Sequence, residues 1–230
     1  MSLRHRSNAP ELMDTDCVDE ADSRACLADL AVVNALTLAH RPTLSFLARA
    51  MRGRPGEAVS VFDVAFGEGD MLRAIGRWAR RRRREVRLGG IDLNPASAAA
   101  ARAASPGLAL DLRTGDVLEH APGPGWDFIV SSLFTHHLRD DEVVAFLRWM
   151  ERHARRGWFV NDLHRHAVPL HAFRVGARLM RWHRFVQHDG PVSIARAFRV
   201  RDWQRLLAKA GVPARIRWRF PFRLCVERLR

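Results

Sequence analysis

The stretch Val59-Ser60-Val61-Phe62-Asp63-Val64-Ala65-Phe66-Gly67-Glu68-Gly69-Asp70 decides the fold. Its first half, Val59–Val64, is short and mostly apolar, as a strand buried on both faces must be. A Gly-containing turn follows, and then helical spacing over Met71–Arg83. Glycine has no Cβ and tolerates positive φ, so such a turn lets the backbone approach a ligand closely. The start of the following helix presents free N–H groups to an anionic group. Gly-x-Gly alone is weak evidence; its place between a buried strand and a helix gives it meaning.

Working outward, strands and helices alternate. Val86–Asp92 reads as a strand and Pro95–Ala104 as a helix with Pro in its first turn. Leu108–Leu112 and Trp126–Ser132 read as strands. Asp140–His153 is a helix with acids in its first turn and bases in its last, which suits the helix dipole. Trp158–Asp162 is a fifth strand. Such alternation predicts an α/β fold: a mostly parallel, Rossmann-like sheet with helices on both faces. Beyond Leu163, the spacing predicts one Arg-studded helix over Val168–Val186 and another over Arg201–Ala210. Val212–Trp218 and Phe222–Glu227 read as a closing hairpin, for seven strands in all. Before the first strand, residues 1–20 carry no periodicity and are expected to fray. Leu27, Leu30, Val33, Leu36 and Leu38 form one helical stripe, and Leu44, Leu47 and Met51 a second after Pro42. The expected organisation is a helical cap over 1–55 and one domain over 56–230, in which 163–198 roofs the substrate.

Three acids recur at the carboxyl ends of the expected strands, where open α/β sheets bind ligands. Asp63 ends the first. Asp92, about 23 residues beyond Gly69, ends the second in Ile91-Asp92-Leu93-Asn94-Pro95. A carboxylate only accepts hydrogen bonds, so there it can take both hydroxyls of a ribose. Asp116, in Thr114-Gly115-Asp116-Val117, follows the third strand and can meet an adenine amino group.

These motifs resemble the class I S-adenosylmethionine (SAM)-dependent methyltransferases, especially small-molecule enzymes similar to the ubiquinone/menaquinone C-methyltransferases. The resemblance extends to Trp126–Leu138, with its Thr135-His136-His137-Leu138. It also reaches Asp189-Gly190-Pro191-Val192-Ser193 and Arg196-Ala197-Phe198, a stretch seen in bacterial polyketide-associated members. It implies SAM as cofactor. Asp63, Ala65, Gly67 and Gly69 would shape the methionine pocket, Asp92 would hold the ribose, Asp116 with Val117 would frame the adenine, and Leu93 and Ser131 would complete the cofactor contacts. Two departures stand out. The family usually has Gly where Ala65 stands and a small residue where Phe66 stands, so a positive φ at 65 would cost roughly 1 kcal/mol. Arg155-Arg156-Gly157 replaces the family's Pro-Gly-Gly turn.

The sulfonium methyl is already activated, so in-line positioning is the main demand on the protein. A phenol or enolisable carbon would also use a general base. His136 after the fourth strand, and Asp162 or His164 in Asn161-Asp162-Leu163-His164-Arg165-His166, are the candidates. The histidines show no compact metal-ligand spacing, and no metal is expected.

The 230 residues carry a net charge of +13, almost all of it arginine; Lys209 is the only lysine. Nucleic acid is a partner to consider for so basic a chain. The arginine and alanine richness with no tyrosine, and a run Arg80–Arg84 without a stacking platform, favour biased composition instead. Cys17, Cys26 and Cys225 are scattered and suggest neither disulfides nor zinc. No apolar run approaches the roughly 18 residues of a membrane span, and Met1–Pro10 lacks an apolar signal core. A cytoplasmic enzyme acting on an aromatic or polyketide-like small molecule is expected, with a homodimer as the assembly to consider. The rivals are an RNA methyltransferase and a non-catalytic binding or scaffold protein that keeps the fold.

Overall fold

The strands are β1 (Val59–Val64), β2 (Val86–Asp92), β3 (Leu110–Thr114), β4 (Trp126–Ser132), β5 (Ala154–Leu163), β6 (Arg215–Arg219) and β7 (Arg223–Leu229). They form one sheet in the order β3-β2-β1-β4-β5-β7-β6. β1 to β5 run parallel, and β7 pairs antiparallel with both β5 and β6. This computed structural model describes residues 3–15, 26, 29, 32–123 and 125–230; Cys17, Leu27 and Leu30 lie outside them.

All six residues of β1 are buried, as its apolar run requires. One sheet face packs Phe62, Ile129, Trp158 and Val226 against α5 (Asp140–His153) and α8 (Val200–Ala210). The other packs Val61, Leu88, Phe128 and Phe159 against α2 (Arg41–Ala50), α3 (Asp70–Arg81) and α4 (Pro95–Ala103). Two glycines in β2 make this packing work. A Cβ on Gly89 would lie 2.5 Å from Trp126 Cη2, and one on Gly90 would lie 2.8 Å from Phe66 Cδ1. The strand therefore admits a large ring on each side. Strand order reverses between β1 and β4, which opens a crevice at the carboxyl ends there.

Several expectations need correction. β3 starts at Leu110, because Pro106 and Gly107 form a turn in which Gly107 has φ +75° and Leu108 N–H bonds to Ser105 O. β5 begins at Ala154, so Arg155–Gly157 belongs to the strand and not to a turn. The hairpin strands start three and one residues later than expected, at Arg215 and Arg223. The single helix expected over Val168–Val186 is two, α6 (Ala167–Leu179) and α7 (Arg184–Arg196). Arg181 adopts φ +53°, the role usually given to glycine after a helix, and Trp182 N–H closes onto Ala177 O. With no Gly or Pro at the break, periodicity runs through it. The two helices then pack closely where Phe173 of α6 meets Gly190 of α7.

The N-terminal segment 3–15 is tied down, not frayed. Ser7 N–H donates to Ala195 O at 3.0 Å. Arg6 donates to Arg196 O, Leu138 O and Asp140 Oδ1 at 2.7–2.9 Å. Asp189 accepts from Leu12 N–H and Met13 N–H at the start of the short α1 (Leu12–Thr15). Residues 32–36 are helical, and the turn after them reaches the carboxyl end of the sheet, where Ala39 O accepts from Asn161 Nδ2 at 2.8 Å.

Candidate active site

The turn after β1 alternates through the left-handed region, with φ +59° at Ala65, +53° at Gly67 and +75° at Gly69. Ala65 thus occupies the conformation that favours glycine, at a cost of roughly 1 kcal/mol. Phe66 does not crowd the crevice: its ring is buried against Gly90 and the α3 core. Gly67 N–H donates to Asp92 Oδ2 at 2.8 Å, which ties the turn to the tip of β2.

Three carboxylates gather there. Asp63 is buried, and its Oδ1 has no partner among the described residues. Burial first, and then the charges of Asp70 and Asp92, hold its pKa well above the usual carboxylate range. Burial would raise Asp70 too, but His40 outweighs it through a hydrogen bond at 2.8 Å and its charge, and the pKa falls. An orphaned buried acceptor beside two further carboxylates fits a cationic ligand, and SAM carries both an ammonium and a sulfonium. Asp92 accepts from Gly67 N–H, Asn94 N–H and Ser97 Oγ, so one of about four acceptor sites stays open. Leu93 beside it is 73% exposed, an apolar surface at the strand tip. Asp116 caps the short 3-10 turn Val117–Glu119 through Leu118 N–H, Val117 is buried, and Ser131 Oγ bonds Val64 O.

A second cluster joins the ends of β4 and β5. His136 sits on the 3-10 turn Thr135–His137 and is 3% exposed. Asp162, fully buried, accepts from His136 Nδ1 at 2.7 Å, His136 N–H at 2.9 Å, Leu163 N–H at 2.7 Å and the Thr135 hydroxyl. Burial alone would push the Asp162 pKa up. The charge of His136 and these hydrogen bonds outweigh it and bring it to about 2. A carboxylate in that state assigns the imidazole proton to Nδ1 and leaves Nε2 as the acceptor. Nε2 faces Glu11 Oε1 at 3.9 Å, and Glu11 is itself held by the Ser193 hydroxyl at 2.8 Å. His136 and Asp162 are therefore brought together, and His164 is left out. Its ring lies against His166 and Phe222, with centroids 5.4 and 6.4 Å away, and burial, followed by His166 and two arginines, lowers its pKa.

Glu11, Thr135 and His40 were not singled out from sequence. Thr135 adjoins His136 and was within reach of that reasoning; Glu11 and His40 come from far along the chain and carry no local signal. In the run Arg80–Arg84, Arg84 bonds Arg54 O and Glu57 O, and Arg82 lies over the Trp78 ring at 5.2 Å, so part of it serves packing.

The profile of the methyltransferase-domain family matches residues 61–157. No curated protein matches. Among solved structures, magnesium protoporphyrin IX methyltransferase from Synechocystis PCC 6803 with bound SAH is 14% identical with TM-score 0.55, over 84% of this chain and 82% of that one. The plantazolicin methyltransferase BamL, in complex with a triazolic desmethylPZN analog and SAH, is 14% identical with TM-score 0.64, over 84% and 71%. A chain described as a pericyclic reaction enzyme is 18% identical with TM-score 0.56, over 80% and 47%. At such identities the likeness establishes the fold, while the family profile covers the segment from β1 into β5. Residues 61–157 thus match the methyltransferase-domain family, and the whole seven-stranded Rossmann-like sheet has the fold of the solved methyltransferases it resembles.

Proposed function

We propose that the chain transfers a methyl group from SAM to oxygen or carbon of a small aromatic or polyketide-like acceptor in the cytoplasm, with His136 as general base. The observation that carries this is the buried Asp162–His136 pair at the ends of β4 and β5, beside the strand-order reversal. SAM, when bound, supplies an activated sulfonium methyl. Asp63 would meet its cationic end, Asp92 its ribose, and Asp116 with Val117 and Leu93 its adenine. Asp162 fixes the proton on Nδ1, so Nε2 is free to take a proton from the acceptor. The imidazolium then formed lies between Asp162 and Glu11, and both carboxylates stabilise it. Segments 1–55 and 163–198 would enclose the acceptor. No helix among the described residues is long and apolar enough to cross a membrane, and Cys225 is a buried free thiol, which suits a reducing compartment.

The test pairs calorimetry with turnover on a panel of phenols. Asp92→Ala should weaken SAH by roughly 10- to 100-fold, the loss of a charge-assisted acceptor. His136→Ala should keep SAH affinity and lower kcat by about 100-fold or more, whereas His164→Ala should keep kcat. Full turnover by His136→Ala would remove it as the base. The strained Ala65 favours one other reading, a fold kept for binding alone; absence of SAH binding at millimolar concentration would select that reading.

A further inference from the structure

Arg223 opens β7 and is 2% exposed. Its Nη2 donates to Thr37 Oγ1 at 3.1 Å, but Nε and Nη1 have no partner among the described residues. Asp162, whose charge acts on it, cannot serve as its partner, since both carboxylate oxygens are filled by Thr135, His136 and Leu163. Across the hairpin, the register partner of Arg223 is Arg219, so the two guanidinium side chains share one face of the sheet. Arg219 Nε is also buried without a partner. Like charges directly opposite each other destabilise a strand pair, and an unpaired buried cation is costlier still. Arg165, another buried arginine, also leaves Nε and Nη1 without a partner among the described residues, but its charge is neutralised by Asp202 at 2.6 Å, as that of Arg223 is not. Such an arrangement is balanced when an anion sits between the two guanidinium groups, and arginine's planar fork matches a carboxylate.

The position says whose anion it is. Arg223 faces Leu163 at the carboxyl end of β5, on the same edge as the crevice. β4 and β5 separate it from β1, three strand spacings or roughly 14 Å. The acids assigned to SAM stand on β1, on β2 and just after β3, on the far side of β4. Alternation puts Asn161 and Cys225 on the same face as Arg223, and the 37–39 turn covers it through Thr37 and Ala39. We infer that Arg223 and Arg219 form a subsite for a carboxylate borne by the acceptor, so that the enzyme selects acidic small molecules over neutral ones. The inference rests on the methyl-transfer reading for the identity of the acceptor, though not for the binding of the anion.

Salicylate and its neutral counterpart salicylamide are the probes, titrated calorimetrically into free and SAH-loaded protein. Wild type should bind salicylate at least tenfold more tightly than salicylamide. Arg223→Met should bring the two within about twofold, Arg223→Lys should restore part of the preference, and SAH affinity should not change. Arg219→Met, at a half-buried position, should reduce the preference partway. Without ligand, Arg223→Met should melt at or above the wild-type temperature, because an unpaired buried charge is gone; a purely structural arginine would give a lower one. Equal binding of the probes by wild type, an unchanged preference in Arg223→Met, or collapse of that variant's fold would overturn the subsite. Failure of SAH to bind would count against the methyl-transfer reading alone, since the free-protein titration still reads the anion preference.

Discussion

Replacing Asp162 by Asn keeps the shape and removes the charge from the most heavily bonded side chain in the site. Four donors converge on its two oxygens: the Thr135 hydroxyl and His136 N–H on Oδ2, and His136 Nδ1 and Leu163 N–H on Oδ1. An amide keeps one oxygen, so two donors face an NH2 group. Leaving buried donors unsatisfied costs about 1–3 kcal/mol each. Since the imidazole can shift its tautomer to answer the amide, about 3 kcal/mol is expected in total. At 2–4 °C per kcal/mol for a chain of this size, the melting temperature should fall by roughly 6–12 °C. The pH dependence gives a second reading. The Asp162 pKa is depressed from 3.8 to about 2, so its contribution is fully present above pH 3.8 and is lost as pH falls through 2. The difference corresponds to about 2 kcal/mol. Urea midpoints between pH 4.5 and 2 should fall more steeply for wild type than for Asp162→Asn. A shifted tautomer also puts the proton on Nε2, so kcat should drop by about 10²–10⁴ while SAH still binds. A melting temperature within 2 °C of wild type, together with an unchanged acid slope, would refute the idea that this carboxylate is charged and fully engaged.

Ala65→Gly should stabilise the protein by about 0.5 kcal/mol at most, as relief of roughly 1 kcal/mol at φ +59° is partly offset by the added chain entropy; a lower melting temperature would contradict the strain. Gly89→Ala should cost about 2 kcal/mol or more, because its Cβ would lie 2.5 Å from Trp126 Cη2. Trp126→Phe in the same chain should recover part of that loss in a double-mutant cycle, and strict additivity would argue against the contact. SAM binding should release a proton: Asp63 holds one more readily than an ordinary carboxyl because of burial and its neighbours Asp70 and Asp92, and a cationic ligand favours its ionised form. Affinity should therefore fall as pH drops through that raised pKa, and binding heats should differ between buffers of unlike ionisation enthalpy. Asp63→Asn should remove both effects, and their persistence would assign the proton elsewhere.

The sheet was readable because β1, β2, β4 and β5 centre on short apolar runs, and a strand buried on both faces leaves little other pattern. The acids Asp63, Asp92 and Asp116 were readable for the same reason, since position at a strand end is a property of nearby residues. What escaped depends on distant partners or on backbone choices without a residue signature. Arg181 reverses the chain between α6 and α7 in a conformation that the sequence marks with no glycine. Phe66 looked obstructive until Gly90, 24 residues later, supplied the space for its ring. Glu11 belongs to a stretch with no periodicity, and only its contact with Ser193 places it beside His136.

The ties that hold segment 3–15 have a consequence for the order in which this protein is made. Arg6 leaves the ribosome well before its acceptor at Arg196, which lies 190 positions further along the chain. At 5–20 residues per second the segment waits roughly 10–40 s for its partner to be synthesised. Residues 61–157 can pair their strands during that interval, because each parallel partner is already in hand. The wall that brings Glu11 to His136 thus arrives after β1 to β5, added as a strap across five parallel strands that β7 and β6 then complete.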